Sequence, residues 1–284
     1  MDRNARPWRS VLYIPGSKER ALDKATGLPA DAIIFDLEDA VAVEEKPRAR
    51  DLLAQTLRGT DFGGRARIVR INGLDTAWGR DDVAAMVGVP LEAVLIPKVN
   101  SAADVQAVAD LIPGADLWAM METPLGMLNA AEIAAHPRLK GMVMGTNDLA
   151  KDLGTRFRAD RLPMMTGLGL CLLAARAHGV TIVDGVYNAF KDVEGLRAEC
   201  MQGRDMGFDG KTLIHPDQLA VANEVFAPSE AEIDLARRQI AAFDAAQAAG
   251  QGVAVVDGKI VENLHIVTAQ ATLAKAAAIA AMAG

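Results

Sequence analysis

The sequence predicts an α/β fold: a (β/α)8 TIM barrel with a C-terminal helical and hairpin extension. Three observations carry that prediction. Eight short apolar, β-branched runs recur along the chain, at Ser10–Pro15, Asp31–Asp36, Arg67–Ile71, Ala93–Pro97, Leu117–Met121, Gly141–Gly145, Val180–Asp184 and Lys211–His215. Segments rich in Ala, Leu and charge, such as Arg48–Leu57, Ala102–Leu111 and Leu168–His178, lie between them with helical spacing. Repeated strand-then-helix units imply a parallel sheet with right-handed crossovers, and eight of them suggest closure. The length, 284 residues, is long for one ordinary domain but normal for a single barrel. An open doubly wound sheet is the alternative, but no Gly-rich dinucleotide fingerprint follows the first run.

The run at Leu117–Met121 suits a strand buried on both faces, and it ends in Glu122-Thr123-Pro124. A carboxylate at that end sits where α/β proteins keep their chemistry, and burying it requires a cation or a hydrogen-bond network. After His215 the pattern changes. Ser229–Ala249 reads as one long helix, with Ser229 and Glu232 at capping-box spacing. Asp257-Gly258 marks a small hairpin, and an Ala-rich helix over Thr268–Ala283 closes the chain. The division is therefore a barrel over 1–226 and an extension over 227–284.

Lys and Arg total 30 against 37 Asp and Glu, a net charge of −7, which argues against a nucleic-acid or membrane-surface binder. Cys171 and Cys200 form no motif, which fits a reducing, cytoplasmic setting. The polar start, 1–8, lacks the apolar stretch of a signal peptide. No run approaches the ~18 apolar residues that span a bilayer, so the expectation is a soluble protein.

If the eight runs are barrel strands, the residues that follow them share one rim. That rim collects Lys18, Asp36, Glu38, Asp39, Arg70, Lys98, Glu122, Asp148, Asp184 and His215. Glu122 and Asp148, from consecutive strands, could hold one hard cation, Mg²⁺ or Mn²⁺, since such ions take oxygen ligands. Their plainer readings are a salt-bridged strand end and a residue opening a helix. The four histidines are scattered and no zinc spacing is present. Arg70 can offer a bidentate fork to a substrate carboxylate, or pair with Asp36, Glu38 and Asp39, or both. That acidic group reads as a surrounding layer that holds Arg70 and metal-bound waters. Pro15-Gly16-Ser17-Lys18, with Arg20 and Lys24, makes a small basic region at a helix start, suited to a phosphate or simply solvated. Asp184-Gly185 and Lys211…His215 could line the pocket, with His215 equally readable as structural. No Gly-x-Ser-x-Gly elbow is present, which disfavours a serine hydrolase.

The segments Arg9–Ser17, Phe35–Val41, Val69–Gly73, Ile96–Lys98, Glu122-Thr123, Val183–Gly185 and Gly207–Pro216 resemble the citrate lyase β-subunit-like (HpcH/HpaI aldolase) family, in order, from about residue 9 to 275. That family includes malyl-CoA and citramalyl-CoA lyases. The resemblance implies a barrel with Mg²⁺ on Glu122 and Asp148, and Arg70 on the substrate carboxylate. It also implies that Lys18 and Lys24, with Tyr13 nearby, face coenzyme A. Members are usually trimers or hexamers, and their C-terminal segment covers a neighbouring subunit's active site. In the lyases a Val-Asp-x-Pro motif near the C-terminus supplies a proton-transfer aspartate. Here Val261-Glu262-Asn263-Leu264 stands in its place, with Glu262 at the aspartate position. One added methylene moves a carboxylate by about an ångström, enough to cost ~10²-fold in a positioned proton transfer.

The chain most resembles the branch that hydrolyses (3S)-malyl-CoA. The expected function is Mg²⁺-dependent hydrolysis of that thioester, with Glu262 as general base on water and Arg70 on the acid. The alternatives are a malyl-CoA, β-methylmalyl-CoA or citramalyl-CoA lyase, and a non-catalytic acyl-CoA sensor.

Overall fold

Eight parallel strands pair in chain order and close on themselves. They are β1 (Ser10–Pro15), β2 (Ala32–Asp36), β3 (Ala66–Arg70), β4 (Ala93–Ile96), β5 (Asp116–Met121), β6 (Leu139–Met144), β7 (Thr181–Asp184) and β8 (Gly210–Leu213). This computed structural model describes residues 6–283, so the polar start at 1–5 lies outside the described residues. The strands fall within two residues of the apolar runs, because those runs are the stretches that can lose water on both faces. The helices between and after them are α1 (Glu19–Ala25), α2 (Lys46–Gly59), α3 (Gly79–Met86), α4 (Ala102–Ala109), α5 (Pro124–Leu128), α6 (Ala130–Ala134), α7 (Thr146–Asp152), α8 (Met165–His178), α9 (Val193–Met206) and α10 (Leu219–Val225). Residues 8–224 form one compact unit.

Alternate residues of each strand fill the barrel interior. Ala32 and Ile34 of β2, Ala66 and Ile68 of β3, Ala93 and Leu95 of β4, and Trp118 and Met120 of β5 pack as one cluster with Trp8 and Tyr13. Side chains alternate with a period of two, so the next inward positions are Asp36, Arg70 and Glu122. The floor is aromatic, with Trp8 and Trp118 ring centroids 4.8 Å apart. Trp118 is seated against Gly141 of β6, its register partner. A Cβ on Gly141 would lie 2.0 Å from Trp118 Cδ2, so that strand position excludes any larger residue.

A second compact unit begins at Val225 and holds α11 (Glu230–Ala248), β9 (Ala254–Val256), β10 (Lys259–Val261) and α12 (Asn263–Ala283). The capping box forms as the spacing requires: Ser229 N–H donates to the Glu232 carboxylate at 2.7 Å, and Glu232 N–H donates to Ser229 Oγ at 3.3 Å. Asp257 and Gly258 both take positive φ, 49° and 74°, the backbone of a two-residue I′ hairpin turn. Phe243, Ala246, Val256, Val261 and Ile266 form this unit's own small core.

Two expectations are corrected here. The last helix starts at Asn263, five residues before the predicted Thr268, and so takes in Leu264, Ile266 and Val267. With them included, Asn263–Met282 is long and apolar enough to cross a membrane by length and composition, where the sequence reading finds no such segment. The run passes that test largely on alanine, which averages out polar residues such as His265 and Gln270.

Replacing Gly141 with Ala is expected to destabilise the protein by about 1–3 kcal/mol through overpacking. Urea unfolding measures it, and adding Trp118→Leu to the same chain should recover part of the loss; an unchanged midpoint in the single variant would contradict the packing described.

Candidate active site

Asp36 and Arg70 are register partners on β2 and β3, which places a carboxylate and a guanidinium side by side at the barrel mouth. Arg70 Nε donates to Asp36 Oδ1 at 2.8 Å and Nη2 donates to Oδ2 at 2.7 Å. Nη1 lies 3.0 Å from Glu38 Oε2 and donates to Asp39 Oδ2 at 3.4 Å. The guanidinium also stands 5.1 Å from the Tyr13 ring centroid, within cation–π range. The acidic group therefore holds Arg70. The pairing with the acidic group that the sequence allows is present, and two of the three guanidinium nitrogens are taken by the neighbouring strand. Nη1, beside the exposed Asp39, is the arm left for an incoming carboxylate.

Asp36, Asp39 and Arg70 line a cavity of about 330 Å³ together with Tyr13, Met120, Glu122, Met144, Asn147 and Asp148. Its size is within the usual range for small-molecule sites, ~300–1,000 Å³. Glu122 follows β5, and its Oε1 accepts the Lys98 backbone N–H at 2.8 Å. Gly145 makes room for it, since a Cβ there would lie 2.3 Å from Glu122 Cβ and 2.5 Å from Oε2. Asp148 stands in the first turn of α7, half-buried, with Lys151 Nζ 3.9 Å away.

The electrostatics divide these acids. Burial works to raise Asp36, but the Arg70 guanidinium and two backbone N–H donors hold its carboxyl below the usual range. Burial raises Glu38 in spite of Arg70 and Lys98. Glu122 is pushed up to about 7, first by burial and then by the charge on Glu38. Burial also lifts the Tyr13 phenol well above its ordinary value, so it stays a donor; its hydroxyl meets Met120 Sδ at 3.3 Å.

A hard divalent cation fits this arrangement. The donors available are carboxylate oxygens, Glu122 and Asp148, and a cation would offset the burial cost that raises the Glu122 carboxyl. Among the described residues no group of three or more His, Cys, Asp or Glu is poised to hold a metal. Two protein carboxylates, with water and substrate oxygens completing the shell, is the arrangement Mg²⁺ commonly takes.

The remaining predicted residues lie elsewhere. Lys18 is exposed, 3.8 Å from Glu45, and Lys24 is exposed on α1; neither lines the cavity. Glu262 is an exposed residue of the second unit, just before α12, where its N–H donates to His265 Nδ1 at 3.0 Å. Asp184 and Lys211 do not line the pocket. Both are fully buried in an ion network: Arg161 Nη1 donates to both Asp184 oxygens, and Lys211 Nζ reaches Glu199 at 2.6 Å and the Gly185 carbonyl at 2.5 Å. His215 is structural: it accepts the Asp217 N–H and stacks on Phe190 with centroids 4.7 Å apart. Arg161 was not foreseen, and no sequence signal marks it. Lys98 was named only as a rim residue.

Residues 9–216 match the HpcH/HpaI aldolase/citrate lyase family. A (3S)-malyl-CoA thioesterase of Cereibacter sphaeroides is 77% identical over 99% of both chains. An L-malyl-CoA/β-methylmalyl-CoA lyase of the same species is 36% identical over 98% of this chain and 97% of its own. Among solved structures, CitE of Mycobacterium tuberculosis in complex with magnesium, acetoacetate and coenzyme A superposes with a TM-score of 0.82, at 34% identity over 96% of this chain and 99% of that one.

Substituting Arg70 by Met should destabilise the fold by about 3–5 kcal/mol at neutral pH, because it strands buried carboxylates. The depressed Asp36 carboxyl contributes stability above its unfolded value of ~3.9, and that contribution is lost as pH falls through the folded value. The difference between wild type and variant should therefore shrink as urea unfolding is repeated at progressively lower pH; an equal loss at every pH would refute the pairing.

Proposed function

Because the chain belongs to the HpcH/HpaI aldolase/citrate lyase family, we propose that it hydrolyses (3S)-malyl-CoA to (S)-malate and coenzyme A. One observation carries the choice of reaction within the family: identity is 77% to a (3S)-malyl-CoA thioesterase and 36% to a malyl-CoA lyase, each over nearly the whole chain. The cavity supports it, since Arg70, Glu122 and Asp148 together suit the acid end of a short hydroxy-dicarboxylic thioester.

Glu122 and Asp148 would hold magnesium, which when bound supplies a Lewis acid for the carboxylate and hydroxyl oxygens of the substrate. Arg70, fixed in orientation by Asp36, presents Nη1 to the substrate carboxylate. Asp39, exposed beside it, gives way to that carboxylate. Tyr13 and Met120 close the inner wall. The exposed Lys18 and Lys24 would meet coenzyme A phosphates outside the cavity. Glu262 acts as general base: its carboxylate takes a proton from water, and the hydroxide formed attacks the thioester carbonyl. The C–S bond breaks and the thiolate leaves, to be protonated as free coenzyme A. No covalent acyl-enzyme is needed.

We further propose that the protein is a homo-oligomer in which the second unit serves a neighbouring copy. Val255 and Ile260, register partners in the hairpin, and Leu264 and Val267, one turn apart on α12, are each more than half exposed, and apolar side chains left in water in this way support this reading.

With purified protein, Mg²⁺ and (3S)-malyl-CoA, free thiol and malate should appear without glyoxylate; glyoxylate with acetyl-CoA would instead establish lyase chemistry. Glu262→Gln should lower kcat by ~10²-fold or more with KM little changed, and undiminished turnover would remove Glu262 from the mechanism. Co-expressing Glu262→Gln with Glu122→Gln tests the neighbouring-copy reading: each variant alone is inactive, and mixed oligomers should regain a fraction of wild-type turnover. Mixed oligomers as dead as either parent would mean that Glu262 serves its own barrel.

A further inference from the structure

Lys98 is the residue that follows Pro97 after β4, and its backbone is left-handed, with φ of 49°. A non-glycine residue takes that conformation at a cost that glycine avoids, and such positions persist where surrounding contacts demand them. Both ends of Lys98 are engaged at the barrel mouth. Its N–H donates to Glu122 Oε1 at 2.8 Å, and its ammonium donates to Glu38 Oε1 at 2.5 Å. Glu38 is in turn 3.0 Å from Arg70 Nη1 through its other oxygen, Oε2. Lys98 thus joins a carboxylate suited to the metal with the guanidinium arm suited to the substrate.

We propose that Lys98 is a positioning residue for the acid end of the substrate: its N–H fixes the Glu122 carboxylate, and its ammonium gives Glu38 a second cation, so that Glu38 stays paired when Arg70 Nη1 turns from it to a substrate carboxylate. The inference rests on the thioesterase reading given above. Without the ammonium, Glu38 is a largely buried acid whose remaining cation is Arg70. An incoming carboxylate must then displace Glu38 from Nη1 and leave it unpaired, so weaker binding of the acid is the consequence. The backbone contact is independent of the side chain, which lets one substitution separate the two.

Lys98→Gly retains the N–H and the left-handed backbone while removing the ammonium. Its melting temperature should stay close to that of wild type, because glycine relieves the left-handed backbone while the half-exposed ion pair to Glu38 is lost. Calorimetric titration of the metal-free protein with Mg²⁺ should give an affinity within about threefold of wild type, since the Glu122 contact survives. KM for (3S)-malyl-CoA should rise by about tenfold or more, with kcat within about threefold, because ground-state and transition-state binding of the acid are lost together. Lys98→Arg should return KM to within about threefold of wild type. A Lys98→Gly enzyme with wild-type KM would overturn the role of the ammonium, and a Mg²⁺ affinity that falls tenfold in that variant would overturn the assignment of the Glu122 contact to the backbone. Failure of the wild-type protein to release thiol from (3S)-malyl-CoA would sink the thioesterase reading instead, and the magnesium titration, which needs no turnover, still decides the backbone half.

Discussion

A buried guanidinium must be neutralised where it stands, and the mouth of this barrel is arranged around that demand. Arg70 faces inward because it continues the alternation set by Ala66 and Ile68, and Asp36 faces it because Ala32 and Ile34 set the same phase one strand away. The bidentate pair is therefore a product of strand register rather than of loop conformation. Register is strongly specified when one face is a packed core, since a slip of one residue would turn every side chain over. The catalytic geometry inherits the rigidity of the hydrophobic floor beneath it.

Charge balance then separates a site from a scaffold. Asp36, Glu38, Asp39, Glu122 and Asp148 share the mouth with two cations, Arg70 and Lys98. The surplus is negative, and the charge on Glu38 adds to the burial that raises the Glu122 carboxyl. An anionic substrate entering such a field is repelled unless a cation accompanies it, which is a physical reason for a divalent ion here. Across the barrel, Arg161 and Lys211 face Asp184 and Glu199 with the charges matched. That network is internally satisfied apart from one Arg161 nitrogen, and it leaves no field to attract a ligand. Two polar clusters of similar composition thus differ in purpose through their net charge.

The strands and rim were legible because both are written in short-range pattern. A buried parallel strand announces itself as an apolar run, and the first polar residue after it, such as Glu122 or Asp36, falls on the rim by necessity. What escaped was set by three-dimensional pairing or by backbone angle. Arg161 reaches Asp184 from a loop whose sequence carries no period, and no side-chain pattern reports that Lys98 is left-handed. The start of α12 was missed for a related reason. Glu262 precedes the helix and its N–H is received by His265, whereas the usual capping signals are Ser, Thr, Asp or Asn followed by Glu or Gln. Arg70 was half legible: its acidic partners were foreseen, but only register showed that they take two of its three nitrogens.

The division of labour between the two units bears on how one fold serves two reactions. The residues proposed to recognise the acid end, from Arg70 to Asp148, all lie within residues 8–224. On that proposal, the same residues would hold a carboxylate and a hydroxyl alike whether the bond to be broken is C–C or C–S. The choice must then be made at the thioester end, by what a base there can reach. Glu262 belongs to the second unit, at the start of a helix and exposed. A carboxylate one methylene longer than aspartate reaches about an ångström farther from the backbone that carries it, and the proposed attack by water draws on that added reach. Selection between hydrolysis and cleavage can thus be altered without disturbing the buried charges of the barrel, whose cost of rearrangement is high. With recognition proposed in a rigid strand register and the base proposed on the second unit, a change of reaction would fall on the base and leave the barrel's buried charges as they are.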